Sequence, residues 1–102
     1  MRRAIVYSLY MSCGSIYLRS HVGYLIEQGC AVYRVERGRW RVIDTNTGLA
    51  ICDGSSLIKA IDRFRADYLD MLIVYRAKHA EDYKAKVERM NTLYEDYVKG
   101  TC

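Results

Sequence analysis

The chain has 102 residues, room for one domain and one core. Hydrophobic residues make up 51% and charged ones 27%, and a formal charge of +4 is too small to argue by itself for nucleic acid. Four cysteines without a CxxC spacing and two distant histidines speak against zinc, and no stretch approaches the roughly 20 apolar residues of a membrane span.

Two features of the composition stand out. Tyr occurs ten times and Pro never, so nearly all the aromatic content is amphipathic and suited to half-buried surfaces. The positive charge is also uneven. Residues 1–58 hold seven Arg, no Lys and four acids, whereas residues 59–102 are nearly balanced. Arginine is favoured for bidentate contact with phosphate or carboxylate and for stacking.

Ala4 to Ser12 alternates, with Ile5, Tyr7, Leu9 and Met11 on one face, and predicts a first strand. Arg2 and Arg3 precede a run that is too short and too polar for a signal peptide, so a cytoplasmic protein with reduced thiols is expected. Cys13-Gly14-Ser15 is a turn. Ile16 to Gln28 then reads as a short helix, with Leu18, Val22, Leu25 and Ile26 on one side and Gly29 as its stop. Cys30–Glu36 and Arg39–Asp44 form a hairpin about Arg37-Gly38. A two-residue loop would set Val35 opposite Trp40, Tyr33 opposite Val42, and Arg34 opposite Arg41. A slip by one would put Arg39 and Arg41 on the face of Tyr33 and Val35, so the first register separates apolar from charged residues better. In the next turn, Asp44 is placed to bond to backbone two residues on, and Gly48 to supply a positive φ. Leu49 to Cys52 returns as a strand, and Ser55 or Ser56 caps the helical segment beyond it.

From Leu57 the period becomes helical. Ile61, Phe64, Tyr68, Met71, Leu72 and Tyr75 recur at three- and four-residue steps. After a polar patch at 76–82, the stripe resumes out of phase with Tyr83, Val87, Met90, Tyr94 and Tyr97. With no Gly or Pro between the halves, one continuous helix is the first choice, and two helices breaking near Lys78 to Glu81 the second. A continuous helix would be on the order of 60 Å long, far beyond the radius of gyration of about 13 Å for a compact chain of this length. Its first half would complete the sheet's core. Its second half would need a second copy, another protein, or a fold back on itself.

The expected fold is therefore α+β and a single domain over 1–102. A small antiparallel sheet in the order β-α-β-β-β spans 1–54, and a long amphipathic helix spans 55–99. No paired-carboxylate, HExxH, GxSxG, phosphate-loop or dinucleotide motif is present, so no enzyme, cofactor or metal is expected. The candidate partner- or anion-binding residues are Arg34, Arg37, Arg39 and Arg41 around Trp40. Arg34 opposite Arg41 would require a compensating acid or an anionic ligand. The candidate oligomer or partner interface is Tyr83, Val87, Met90, Tyr94 and Tyr97, since Tyr and Met are enriched in interface cores. The functional expectation is a non-enzymatic regulator or inhibitor that docks on a macromolecular protein partner, as a homodimer and away from membranes. The alternatives are a nucleic-acid binder using the arginine hairpin, and a nucleotide or small-anion binder with its site at a dimer interface. In size and composition the chain is similar to small phage- or mobile-element-encoded proteins that block host enzymes, anti-CRISPR and other anti-defence proteins among them.

Overall fold

The structure, a computed structural model, describes residues 1–100. Five strands come first: β1 (Arg2–Ser12), β2 (Ser15–Ile26), β3 (Cys30–Glu36), β4 (Arg39–Asp44) and β5 (Ala50–Gly54). They pair antiparallel in the order β1-β2-β3-β4-β5. Helices α1 (Leu57–Arg63), α2 (Leu69–Lys78) and α3 (Ala80–Gly100) come after them, with a π-helical turn, Phe64–Tyr68, joining the first two. The α+β class is as expected.

The segment read as a short helix is strand β2, so the order is five strands without an intervening helix. Its apolar residues fit either period, but tertiary pairing decides for the strand. Cys13 and Gly14 both take positive φ, 52° and 79°, the two-residue turn whose twist suits a hairpin. From that turn β2 pairs with β1 residue for residue, from Ser12↔Ser15 to Arg2↔Leu25. Gly23 permits the close approach of β3: a Cβ there would stand 2.6 Å from the Val32 carbonyl oxygen.

The β3–β4 hairpin adopts the slipped register. Glu36 faces Arg39 across the Arg37-Gly38 turn, and a bulge at Val35 then sets Arg34 opposite Trp40, Tyr33 opposite Arg41 and Val32 opposite Val42. The β4–β5 turn is built as expected. The Asn46 N–H donates to Asp44 Oδ1 at 2.9 Å, and Gly48 has φ 73°.

All the helices lie on one face of the sheet. Cys30, Val32, Val42 and Cys52 pack under Ala60, Ile61 and Phe64, with Tyr24, Ile26, Trp40 and Leu72 at the margins. Ser56 caps α1, its Oγ accepting from the Lys59 N–H. By the two-residue alternation of strands, Leu18 shares the face of Tyr24, and Tyr7 and Leu9 share it across the β1–β2 pair. There α3 docks, with Tyr94 and Tyr97 edge-on to the Tyr7 ring at 5.2 and 5.4 Å.

The helical region thus takes the second choice. It breaks at His79 (φ −118°, ψ 45°) and turns back over the sheet. No Gly or Pro causes the break; a buried polar clamp holds it. Asp44 Oδ2 accepts from Arg76 Nη2 at 3.2 Å and from the Tyr83 hydroxyl at 2.8 Å, tying the two sides of the break to the end of β4. Asp44 is buried and the Arg76 side chain 20% exposed, so the pair is held in a poorly solvated site.

The other face of the sheet closes on itself. Only Gly23–Ile26 of β2 pair with β3, so the rest of the long β1–β2 hairpin runs past β3 and curls over. Val6 on β1 thereby reaches Ala31 and Tyr33 on β3 and Ile43 on β4, forming a second buried cluster. The free edge of β1 meets the β4–β5 turn, where the Leu9 N–H donates to the Gly48 carbonyl at 3.2 Å. The sheet is thus curled, with the helices on its outer face and a small core on its inner face.

Candidate functional site

At one end the inner core gives way to polar side chains. The alternation that aims Val6 inward also aims Ser8 and Tyr10, and on β2 it aims Arg19 and His21 beside them. Tyr33 and Val35 on β3 and Arg41 on β4 complete a cleft of about 160 Å³ at the mouth of the curled sheet. Such mouths are a preferred place for ligand sites.

Each group in the mouth is held. Ser8 Oγ and His21 Nε2 are 2.7 Å apart. The His21 ring stacks on Tyr33, with centroids 3.9 Å apart and planes inclined by 17°. The Arg19 guanidinium lies 4.0 Å above the Tyr10 ring. Arg41 meets Asp53 of β5 through two bonds, Nε to Oδ1 at 2.8 Å and Nη2 to Oδ2 at 3.2 Å, and Arg39 Nε reaches the same carboxylate at 2.9 Å.

The electrostatics come from this packing. Arg41 and, less strongly, Arg39 hold the Asp53 carboxyl below its ordinary range against the effect of burial, and Asp53 in turn keeps Arg41 charged. Burial lowers the His21 pKa, and the charges of Arg19 and Arg41 lower it further, so His21 is neutral at pH 7. Arg19 has no carboxylate partner among the described residues. Arg39 and Arg41 thus share one carboxylate, Asp53, and Arg19 is left without one. Glu36 stands 3.8 Å from Arg39, but both are well exposed and that pair contributes little.

The four hairpin arginines do not form one patch. The bulge at Val35 separates them, leaving Arg39 and Arg41 on the inner face and Arg34 on the helix face beside Trp40. Arg37 lies exposed in the turn. The compensating acid comes from the neighbouring strand: it is Asp53. Ser8, Tyr10, Arg19 and His21 are missed by sequence reasoning because a helical period over 16–28 scatters the last two around a cylinder. A period of two along both strands groups all four.

The stripe expected to meet a second chain packs on its own sheet. Tyr83 bonds Asp44, Val87 is half-buried, Met90 is 6% exposed beside Leu9 and Gly48, and Tyr94 and Tyr97 flank Tyr7. The excess length that pointed to a homodimer disappears once the helix is two helices.

Other reactive groups lie apart from the mouth. Burial pushes the Cys30 thiol up to about 12 and raises that of Cys52, so both are inert, while Cys13 is exposed in the β1–β2 turn. Among the described residues, no three His, Cys, Asp or Glu gather as a metal site would require, and no helix is long and apolar enough to cross a membrane. In comparison with known proteins, no family model matches the chain, and neither the curated proteins nor the solved structures contain a match to it.

Proposed function

We propose that this protein is a non-enzymatic binder whose working surface is the mouth of the curled sheet, and that it takes an anionic group there. The observation that carries this reading is the convergence of Arg19 and Arg41 with Ser8 and His21 on one concave, partly buried cleft. Guanidinium forks, a hydroxyl and an imidazole converging on one hollow are donors suited to an oxyanion. Catalysis is less well supported. Ser8 and His21 are in contact, but among the described residues no carboxylate is hydrogen-bonded to His21 to orient it as the third member of a triad would. The cleft is smaller than the roughly 300–1,000 Å³ of sites that enclose whole small molecules. It fits a charged group presented by something larger, and a regulator docking on a macromolecular partner would engage that partner's anionic group here.

The test is thermal stability in the presence of phosphate, sulfate, small carboxylates and mononucleotides. A ligand at 100 times its Kd adds about 2.7 kcal/mol, and about 1 kcal/mol moves Tm by roughly 4–8 °C in a domain of this size. A rise on the order of 10 °C is expected for at least one anion, and Arg19→Gln should abolish it while leaving the unliganded Tm within a few degrees. A rise that survives Arg19→Gln, or no rise with any anion, overturns the reading.

A further inference from the structure

Resting on that anion site, we infer that its ligand is a phosphate monoester bound as the dianion, and that His21 takes up a proton when it binds.

The charge of the mouth points to a dianion. Arg39 and Arg41 share Asp53, and Glu36 stands 3.8 Å from Arg39, which leaves the charge of Arg19 uncompensated; a proton on His21 raises the excess to two. A monoester carries about −1.5 to −2 near neutral pH. A carboxylate, a sulfate ester or an internal phosphodiester carries one negative charge and leaves the mouth positive. Size agrees. A cleft of about 160 Å³ holds the volume of roughly five waters, enough for a terminal phosphate and its first few attached atoms.

The donors suit a tetrahedral group. Arg19 rests its flat face on Tyr10, which leaves the N–H groups at its edge to donate in the plane. Arg41 is fixed from behind by Asp53 through Nε and Nη2 and is also hydrogen-bonded to Tyr33, so its charge is held at the wall of the cleft. The remaining donor is Ser8, and its availability depends on His21. A protonated imidazole is a donor at both nitrogens, so Nε2 must then donate to Ser8 Oγ, which frees the Ser8 hydroxyl proton for the anion.

The same groups couple the proton to the ligand. His21 faces Ser8 and Tyr10 of β1, Arg19 of its own strand, Tyr33 of β3 and Arg41 of β4, with Asp53 of β5 behind Arg41. The helices lie on the opposite face of the sheet. Burial, and next the charges of Arg19 and Arg41, disfavour the protonated form of His21 in the free protein; an anion between the two arginines offsets their charge, and by linkage protonation of His21 strengthens anion binding. Above the second phosphate ionisation, near about pH 6, affinity should rise as pH falls, and below it affinity should fall as the dianion is lost.

The experiment is calorimetric titration with phenyl phosphate and phenyl sulfate at pH 6.5, each in two buffers of different ionisation enthalpy. The unmutated protein is compared with His21→Gln, which keeps a bond to Ser8, and with His21→Phe, which keeps the stack on Tyr33. Phenyl phosphate should bind at least about 10-fold more tightly than phenyl sulfate, a difference of about 1.4 kcal/mol. It should also take up more protons on the unmutated protein than on either folded variant. Equal affinity for the two esters, or proton uptake unchanged by both substitutions, overturns this inference and leaves the anion site standing. Binding of neither ester, together with no anion-dependent rise in Tm, overturns the anion site itself.

Discussion

The two faces of the sheet are made from the same strands and do opposite work. Val42 points outward into the helix-covered core with Phe64, while Arg41 and Ile43 on either side of it point inward, one to the mouth and one to the small inner core. The outer face is sealed by three helices. The inner face is sealed only at the Val6 end by its own curl, so its other end keeps charged groups in a hollow open to ligand. Stability is concentrated on one side of each strand, and the other side is left free for recognition.

Substitutions can test that division, beginning with the greatest expected loss. Phe64 is fully buried in the outer core, and Phe64→Ala should cost about 3–5 kcal/mol, read from the urea midpoint. If the faces are independent, the fraction that remains folded should bind anions with unchanged affinity. Asp44→Ala removes the acceptor of both Arg76 and Tyr83 and should cost about 3 kcal/mol, with amide exchange accelerating first in α3. Uniform acceleration over the whole chain would show that the clamp supports the entire sheet. Met90→Glu with Tyr94→Glu should lower stability by roughly 2 kcal/mol, because Met90 is buried against the chain's own β1 side. A halving of mass by light scattering without loss of stability would restore the homodimer.

The last effect is alkaline. Burial and, next, the nearby Asp44 charge push the Cys30 thiol from 9.0 up to about 12. A thiol that ionises more readily in the unfolded chain than in the fold stabilises the native state below about pH 9 and withdraws that contribution as pH rises toward 12. Denaturation curves should therefore show stability falling across that window. The fall should be shallower in Cys30→Ala, once its lower starting stability is subtracted.

Much of the fold is legible in the sequence because it is local. The turn at Asp44–Gly48 and the Ser56 cap are written in residues that bond a few positions away. The face of the helical region that fills the outer core shows in the spacing of Ile61, Phe64, Tyr68 and Leu72. The illegible parts depend on distant partners. Leu18, Val22, Leu25 and Ile26 satisfy a helix as well as a strand until β1 pairs with them. The Val35 bulge, which redistributes the arginines, leaves no mark in the alternation of β3 alone. The break at His79 is held by Asp44, 32 residues from Arg76 and 39 from Tyr83. The candidate site inherits the ambiguity of β2. Arg41 shows in the hairpin, but Arg19, His21, Ser8 and Tyr10 gather only once both strands of the first hairpin are recognised.

The contact between Leu9 and the β4–β5 turn bears on how this protein can change over generations. A Cβ on Gly48 would stand 3.2 Å from both the Leu9 side chain and the Met90 sulfur, in a backbone conformation that already disfavours any other residue. Turns are ordinarily where sequences drift and lengthen. Here the turn is the meeting point of the first strand, the last hairpin and the last helix, so a side chain at Gly48 meets packed neighbours as well as backbone strain, whereas at Gly14 and Gly38 it meets strain alone, and change should be purged hardest at Gly48. Among a collection of random variants selected only for folding, this short loop should be as intolerant as the core.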